Sequence, residues 1–369
     1  MNIVELLRIM IEKDASDIYI TVGSPPVYRV EGRTEPIPGD TFKPEDTEEL
    51  ALSIMSEKQK ADFLQNKEMN LALNPPSLGR FRVNIFYQMN TVGIVIRQIK
   101  IQMQSFDELG LPAILGDISM TKRGLVIVVG TTGSGKSTTL SAMIDHRNSN
   151  SDGHIITIED PVEFVHQHKL SIINQREVGI DTKSFSEALK NTLRQAPDVI
   201  LIGEVRDTET MNAAIAFAET GHLCLATLHA NNANQSIERI INFFPAERHE
   251  QIYLLLSLNL RSIISQRLIP TVDGKRVAAL EILMDTPRIK DLIMKKEIDM
   301  LKVTMQQGKQ EGMQTFDQAI YDFFIQGKIN YETAIAYADS ANDLRLKIKY
   351  DTPGQEEKIE NSPTFKIKH

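Results

Sequence analysis

An apolar run, Leu125-Val126-Ile127-Val128-Val129, enters the stretch Gly130-Thr131-Thr132-Gly133-Ser134-Gly135-Lys136-Ser137, and Thr138-Thr139-Leu140-Ser141-Ala142-Met143-Ile144 leaves it. Nothing else in the 369 residues restricts the fold as much. A continuous apolar run predicts a strand covered on both faces, and the departing segment reads as a helix. The glycines let the loop between them curl so that successive N–H groups face phosphate oxygens, and the helix N-terminus adds positive potential. In this G-x-x-x-x-G-K-[ST] pattern, Lys136 neutralises phosphate charge and the Ser137 hydroxyl ligates Mg²⁺. Gly130, Thr131, Thr132, Gly133, Ser134, Gly135, Lys136, Ser137 and Thr138 are therefore the candidate nucleotide contacts, with ATP and Mg²⁺ as the implied ligands.

From about Pro112 onward, apolar runs alternate with helical patterns, which predicts a doubly wound, mostly parallel sheet. Candidate strands are 124–129, 154–158, 199–202 and 223–228, with 279–284 further on. Such sheets present their ligands at the C-terminal ends of strands. Glu159-Asp160-Pro161-Val162-Glu163 follows one strand and Gly203-Glu204 another, while His222 enters a third and His229 leaves it. Loop acids are ordinarily solvated. Beside a phosphate loop, Glu163 and Glu204 become candidates for orienting water and, for Glu204 with Ser137, for holding the metal. For His222 and His229 a satisfied structural role stands beside γ-phosphate sensing; a histidine metal site lacks a third ligand and a cysteine pair. Cys224, inside an apolar strand, reads as inert core.

Residues 1–100 read as a smaller α/β unit. Ile3, Leu6, Leu7, Met10 and Ile11 recur at helical spacing, strands are expected at 18–20, 26–30, 80–87 and 92–99, and one helical stretch is expected at 44–65. A connector at 101–111, a main domain at 112–345 and a flexible polar tail at 346–369 complete the division. The net charge is −8, from 41 basic and 49 acidic side chains, and 41% apolar residues is an ordinary globular share, which excludes global disorder. No apolar stretch approaches the roughly 20 residues of a membrane span, and acids arrive too early at the N-terminus for a signal peptide, so a cytoplasmic location is expected. One cysteine excludes an intrachain disulfide framework and a multi-cysteine zinc site. The acidic balance, 6% aromatics and absence of tryptophan offer little for stacking on single strands, so no nucleic-acid partner is expected.

Four segments together, GTTGSGKST, TIEDPVEF (157–164), LRQAPDVILIGEVRD (193–207) and TGHLCLATLHANNA (220–233), resemble in order and spacing the Walker A, Asp box, Walker B and His box of the type II/type IV secretion ATPase superfamily. GRFRVNIFYQ (79–88) and EGMQTFDQAIYDFFIQGKI (311–329) are similar to its type IV pilus retraction branch, the PilT/PilU family. The assembly ATPases usually carry a four-cysteine zinc element that one cysteine cannot build. The resemblance implies an N-terminal PAS-like α/β domain followed by a RecA-like P-loop ATPase domain, working as a homo-hexamer with ATP at the junction of domains and subunits. It implies the Walker B role for Glu204, water polarisation by Glu163, γ-phosphate sensing by His229 with His222 supporting that loop, and phosphate contacts from Arg80, Arg82 or Arg97. Read from the residues alone, basic side chains alternating along a strand can equally form a solvated face.

Two departures from the retraction pattern, Ala196 where an acid is common and Thr286-Pro287-Arg288-Ile289-Lys290-Asp291-Leu292-Ile293 where the main motor has its retraction helix, align the chain with the accessory branch. The expected function is a Mg²⁺-dependent ATPase motor that assists pilus retraction and twitching motility. Expected partners are the main retraction ATPase and the inner-membrane platform protein at the pilus base, which supply the peripheral membrane contact. The alternatives are a coupling subunit that binds nucleotide with little turnover, a pilus or secretion assembly ATPase, and a RecA-like nucleic-acid motor.

Overall fold

The computed structural model describes residues 2–99 and 103–351. These form two compact units: the N-terminal residues up to 103 with 159–167 and 175–188, and the remainder. Two segments from the P-loop half of the sequence thus fold with the first unit.

The first unit begins with the helix Ile3–Glu12, which a reciprocal cap starts: the Glu5 N–H donates to the Asn2 side chain and the Asn2 N–H to the Glu5 carboxylate, both at 3.0 Å. Leu6, Leu7 and Met10 on its inner face are buried. The helix packs on a six-stranded sheet of β1 (Asp17–Ile20), β2 (Val27–Val30), β3 (Arg33–Pro36), β4 (Glu68–Leu73), β5 (Arg80–Gln88) and β6 (Thr91–Ile99), in the order β3-β2-β1-β6-β5-β4 with antiparallel pairing. β5 and β6 turn on Met89 and Asn90, whose φ values of 45° and 61° suit a two-residue hairpin loop. The buried Tyr28 hydroxyl donates to the Leu6 carbonyl at 3.0 Å, and burial pushes its pKa up to about 12. The stretch expected as one helix is two, Pro44–Ser53 and Glu57–Asn66, because Ser56 starts the second by capping it against Gln59. β3 and β4 add to the four strands expected.

The second sheet contains β7 (Gly124–Val129), β8 (Gly153–Glu159), β9 (Ser171–Glu177), β10 (Val199–Ile202), β11 (Leu223–Leu228), β12 (Leu260–Pro270) and β13 (Arg276–Met284), in the order β13-β12-β7-β11-β10-β8-β9. From β12 through β8 the pairing is parallel, and β13 is antiparallel to β12. Every residue of β7, β10 and β11 is buried, as a sheet covered on both faces requires. β9 and β12 are additions to the expected strands. The helices Phe316–Ile325, Tyr331–Tyr337 and Ala341–Asp351 gather around Ile269 and Ala279. The last helix corrects the expected tail: Leu344 and Ile348 are buried, so the chain is helical through 351, and the remaining tail lies outside the described residues. Of the connector, 101–102 also lie outside them, while Phe106–Leu109 is a short helix capped by Ser105 and Leu111 joins the core of the second unit.

Candidate active site

Strand register alone assembles the centre of the site. Leu228 of β11 stands level with Val129 of β7, so the residues that follow them, His229 and Gly130, leave the sheet side by side. Ala226 is level with Ile202 of β10, which places Glu204 beside the end of β11. The loop carrying Glu204 is pinned by the Val205 N–H on the Thr227 carbonyl at 2.8 Å, the Gly203 N–H on the Ile158 carbonyl at 2.7 Å, and the Thr227 hydroxyl on the Gly203 carbonyl. The result is an acid held from two sides, with His229 Nε2 at 3.0 Å from Glu204 Oε1 and Arg206 Nη2 at 2.6 Å from Oε2. Arg206 is a site residue the sequence reading passed over.

The phosphate loop itself is backed by β12. Gly130, Gly133 and Gly135 have φ of +152°, +77° and +90°, and a Cβ on Gly130 would lie 2.5 Å from the Gln266 carbonyl oxygen, one on Gly135 2.8 Å from Gln266 Nε2. Glycine is therefore required at both positions on conformation and space together. Gln266, 3% exposed, also accepts the Thr139 hydroxyl at 2.7 Å, tying the loop and its helix Lys136–Asn150 to one buried amide. Lys136 Nζ donates to the carbonyls of Gly130 and Thr131 at 2.9 and 3.0 Å. Desolvation lowers its pKa, and the charge of Glu204 opposes that shift. The buried Ser134 hydroxyl has no hydrogen-bond partner among the described residues, which suits a loop that takes its remaining bonds from phosphate oxygens. A cavity of about 560 Å³ opens beside the loop, lined by Gly130, Thr131, Thr132, His229, Asn231 and Gln235 among others.

These residues fit a nucleotide. Mg²⁺ keeps most of its ligands as water and phosphate oxygen and needs one or two from protein, which a hydroxyl at Ser137 and a carboxylate at Glu204 could supply.

Glu163 and the three arginines belong to the first unit. Register puts Asp17, Arg97 and Arg82 in one cross-strand row, Asp17 opposite Arg97 and Arg97 opposite Arg82. Each arginine is engaged. Arg97 Nε donates to Asp17 at 2.8 Å, and that bond, with the nearby charge of Glu163 as a lesser contributor, raises its pKa. Arg80 Nη2 and Arg82 Nε lie 3.5 Å from the buried Glu177, and Arg82 Nη2 donates to the Val162 carbonyl at 3.0 Å. Glu163 itself is exposed.

The structure corrects the placement of His222. It precedes β11, at the end where its carbonyl accepts the Gly124 N–H at 2.9 Å, and its Nδ1 lies at 3.1 and 3.2 Å from the Thr220 hydroxyl and the Phe217 carbonyl. At about 3.3 Å per strand residue it stands about 20 Å from His229, so within the chain it does not support the loop that carries His229. Cys224 is fully buried, and burial raises its thiol pKa, in keeping with an inert core residue.

The family model described as "Type II/IV secretion system protein" matches residues 2–314. The chain belongs to this family. Within it, 58% identity over 350 residues, 95% of this chain and 92% of the relative, relates it to the type IV pilus ATPase PilU of Pseudomonas aeruginosa. The type IV pilus retraction ATPase PilT of the same organism is 43% identical, covering 90% of this chain and 97% of the relative. A crystal structure of the pilus retraction motor PilT with bound ADP superposes with a TM-score of 0.86 at 42% identity, covering 94% of this chain and 99% of that one. The chain is thus a member of the PilT/PilU branch, with the two-domain architecture of an N-terminal PAS-like domain and a RecA-like ATPase domain that the sequence motifs imply.

Proposed function

We propose that this chain, an ATPase of the type IV pilus retraction class, is the accessory member of a retraction motor and couples ATP hydrolysis to pilin depolymerisation. The observation that carries the reading is the convergence of Lys136, Glu204 and His229 through the register of β7, β11 and β10, on a chain 58% identical to a PilU.

In this mechanism the P-loop amides and Lys136 hold the β and γ phosphates. Ser137 and Glu204 would hold Mg²⁺, which when bound would neutralise charge on the phosphate oxygens. Glu163 polarises the attacking water and His229 senses the γ-phosphate. Arg80, Arg82 and Arg97 reach phosphate by exchanging their present carboxylate partners, and a well-placed arginine contributes about 10³ to 10⁵ in rate in other phosphoryl-transfer systems. The reaction is an in-line displacement in which positioning and charge stabilisation supply most of the acceleration. The working form is a hexamer at the cytoplasmic side of the inner-membrane pilus base, in contact with the main retraction ATPase and the platform protein. Among the described residues no helix is long and apolar enough to cross a membrane.

Retraction force and twitching are to be measured in strains lacking this protein, its paralogue or both, complemented with Lys136→Ala. Loss of retraction force on deleting this protein, not restored by Lys136→Ala, supports the proposal. Full retraction in its absence contradicts it, and sustained retraction without the paralogue contradicts the accessory role.

A further inference from the structure

Glu281 takes no part in the chemistry above, yet it is a carboxyl at 1% exposure in β13. Its partners show what it joins. Glu281 Oε1 accepts the Ala233 N–H at 2.8 Å and the Ser265 hydroxyl at 3.1 Å. Ala233 is the first residue of the helix Ala233–Asn242, which begins four residues after His229. The first N–H groups of a helix have no intrahelical acceptor; here Asn232 takes that of Gln235 and Glu281 takes that of Ala233. On the other side, Ser265 is the cross-strand partner of Glu281 and is level with Val129, the residue before the phosphate loop. Its neighbour Gln266 lies beneath the phosphate loop, its backbone carbonyl against Gly130 and its side-chain amide against Gly135. One carboxylate oxygen therefore ties the strand behind the phosphate loop to the helix that ends the His229 loop.

We propose that Glu281 is a positioning residue for hydrolysis: by holding Ala233 against Ser265 it fixes the loop 229–232 and keeps His229 in place between Glu204 and the phosphate loop. What the position requires is a hydrogen-bond acceptor of this length, so an amide replaces the carboxyl. The inference rests on the γ-phosphate-sensing role of His229, and the test separates the two.

Steady-state ATP hydrolysis of the full-length protein is compared with mant-ADP affinity for Glu281→Gln, Glu281→Leu, Ala233→Pro, His229→Ala and the Glu281→Leu/His229→Ala pair. Proline is well tolerated at the first helical position, after an Asn232 already in extended backbone, and it removes the N–H that Glu281 accepts. Ala233→Pro thus severs the same bond from the other side should Glu281→Leu fail to fold. The expected result is that Glu281→Gln keeps kcat within about 3-fold, while Glu281→Leu and Ala233→Pro lower kcat about 10- to 100-fold with mant-ADP affinity held within about 3-fold. Glu281→Leu adds nothing further once His229 is alanine. If His229→Ala leaves turnover intact, the sensing role falls and the positioning role with it. If His229→Ala slows turnover but neither Glu281→Leu nor Ala233→Pro does, or the losses multiply in the pair, the positioning role alone is overturned.

Discussion

Replacing Glu177 by alanine removes a carboxylate, 3% exposed, on which two arginines converge. At about 3.5 Å and an effective dielectric near 20, each pair is worth about 5 kcal/mol of gross Coulomb attraction, most of it offset by desolvation. Removing one partner of a buried pair costs about 3–5 kcal/mol net, because the remaining charge is left unpaired. Arg80 retains Asp181 at 3.7 Å, so the lower end, about 3 kcal/mol, applies. Glu177→Gln keeps the shape and an acceptor and should cost about 1–2 kcal/mol. The affected part is the first unit's segment 159–167 with 175–188, which Arg82 also grips through the Val162 carbonyl. A chain of two units need not unfold in one step, so local opening is the appropriate quantity. The Val178 N–H, donating to the Glu159 carbonyl at 2.9 Å, reports on it by hydrogen exchange. About 3 kcal/mol corresponds to roughly 100-fold faster exchange at Val178 in Glu177→Ala, with the β7 amides unchanged. Exchange at Val178 within about 3-fold of the parent would refute the claim that these arginines anchor the segment.

Three other substitutions test separate parts of the account. Tyr28→Phe removes the hydroxyl bond to the Leu6 carbonyl and should cost about 1 kcal/mol of stability of the first unit in a urea titration, since the helix still satisfies that carbonyl. Ala196 has a φ of 49° and a ψ of 55°, so Ala196→Gly should raise stability by about 1 kcal/mol in thermal unfolding, and a loss would contradict the left-handed assignment. Glu281 has its pKa raised, first by burial and then by the charge of Asp339, against the bonds from Ala233 and Ser265 and the charge of Lys302. The folded state then binds the proton more tightly than the unfolded state, so this group's contribution is fully present below the ordinary glutamate pKa and is lost as pH rises through the folded value. Relative to the parent, Glu281→Gln should therefore gain thermal stability as pH is raised above the ordinary glutamate value, until the folded carboxyl itself ionises; a difference that stays constant from the ordinary glutamate value upward would contradict the raised pKa.

The strands next to the phosphate loop were readable because burial on both faces writes itself as an uninterrupted apolar run, as in Leu125–Val129 and Leu223–Leu228. β12 was not, because Ser262, Ser265 and Gln266 break the run although all are buried. Their partners, Glu281 for Ser265 and Thr139 for Gln266, are distant in sequence, and a local pattern cannot show a polar residue satisfied from 127 positions away. β9 is an edge strand whose burial alternates only in part, which leaves little periodicity to detect. The grip of Glu177 on Arg80 and Arg82 was hidden for the same reason as β12. The error over His222 was different in kind: with a strand assigned between the two histidines, their seven-residue separation already required opposite ends of the sheet. The motif resemblance supplied two roles for that strand, and the strand geometry admits only that of His229 at this site.

Glu204 is the acid that three strand ends bring to Lys136 and His229. Steady-state ATP hydrolysis by purified Glu204→Gln, measured together with mant-ADP binding, tests it most directly. The expected result is a fall in kcat of about 100-fold or more with nucleotide affinity kept within about 3-fold, because the amide leaves the phosphate loop intact but cannot carry the carboxylate's charge. Turnover equal to that of the parent would contradict the proposed site.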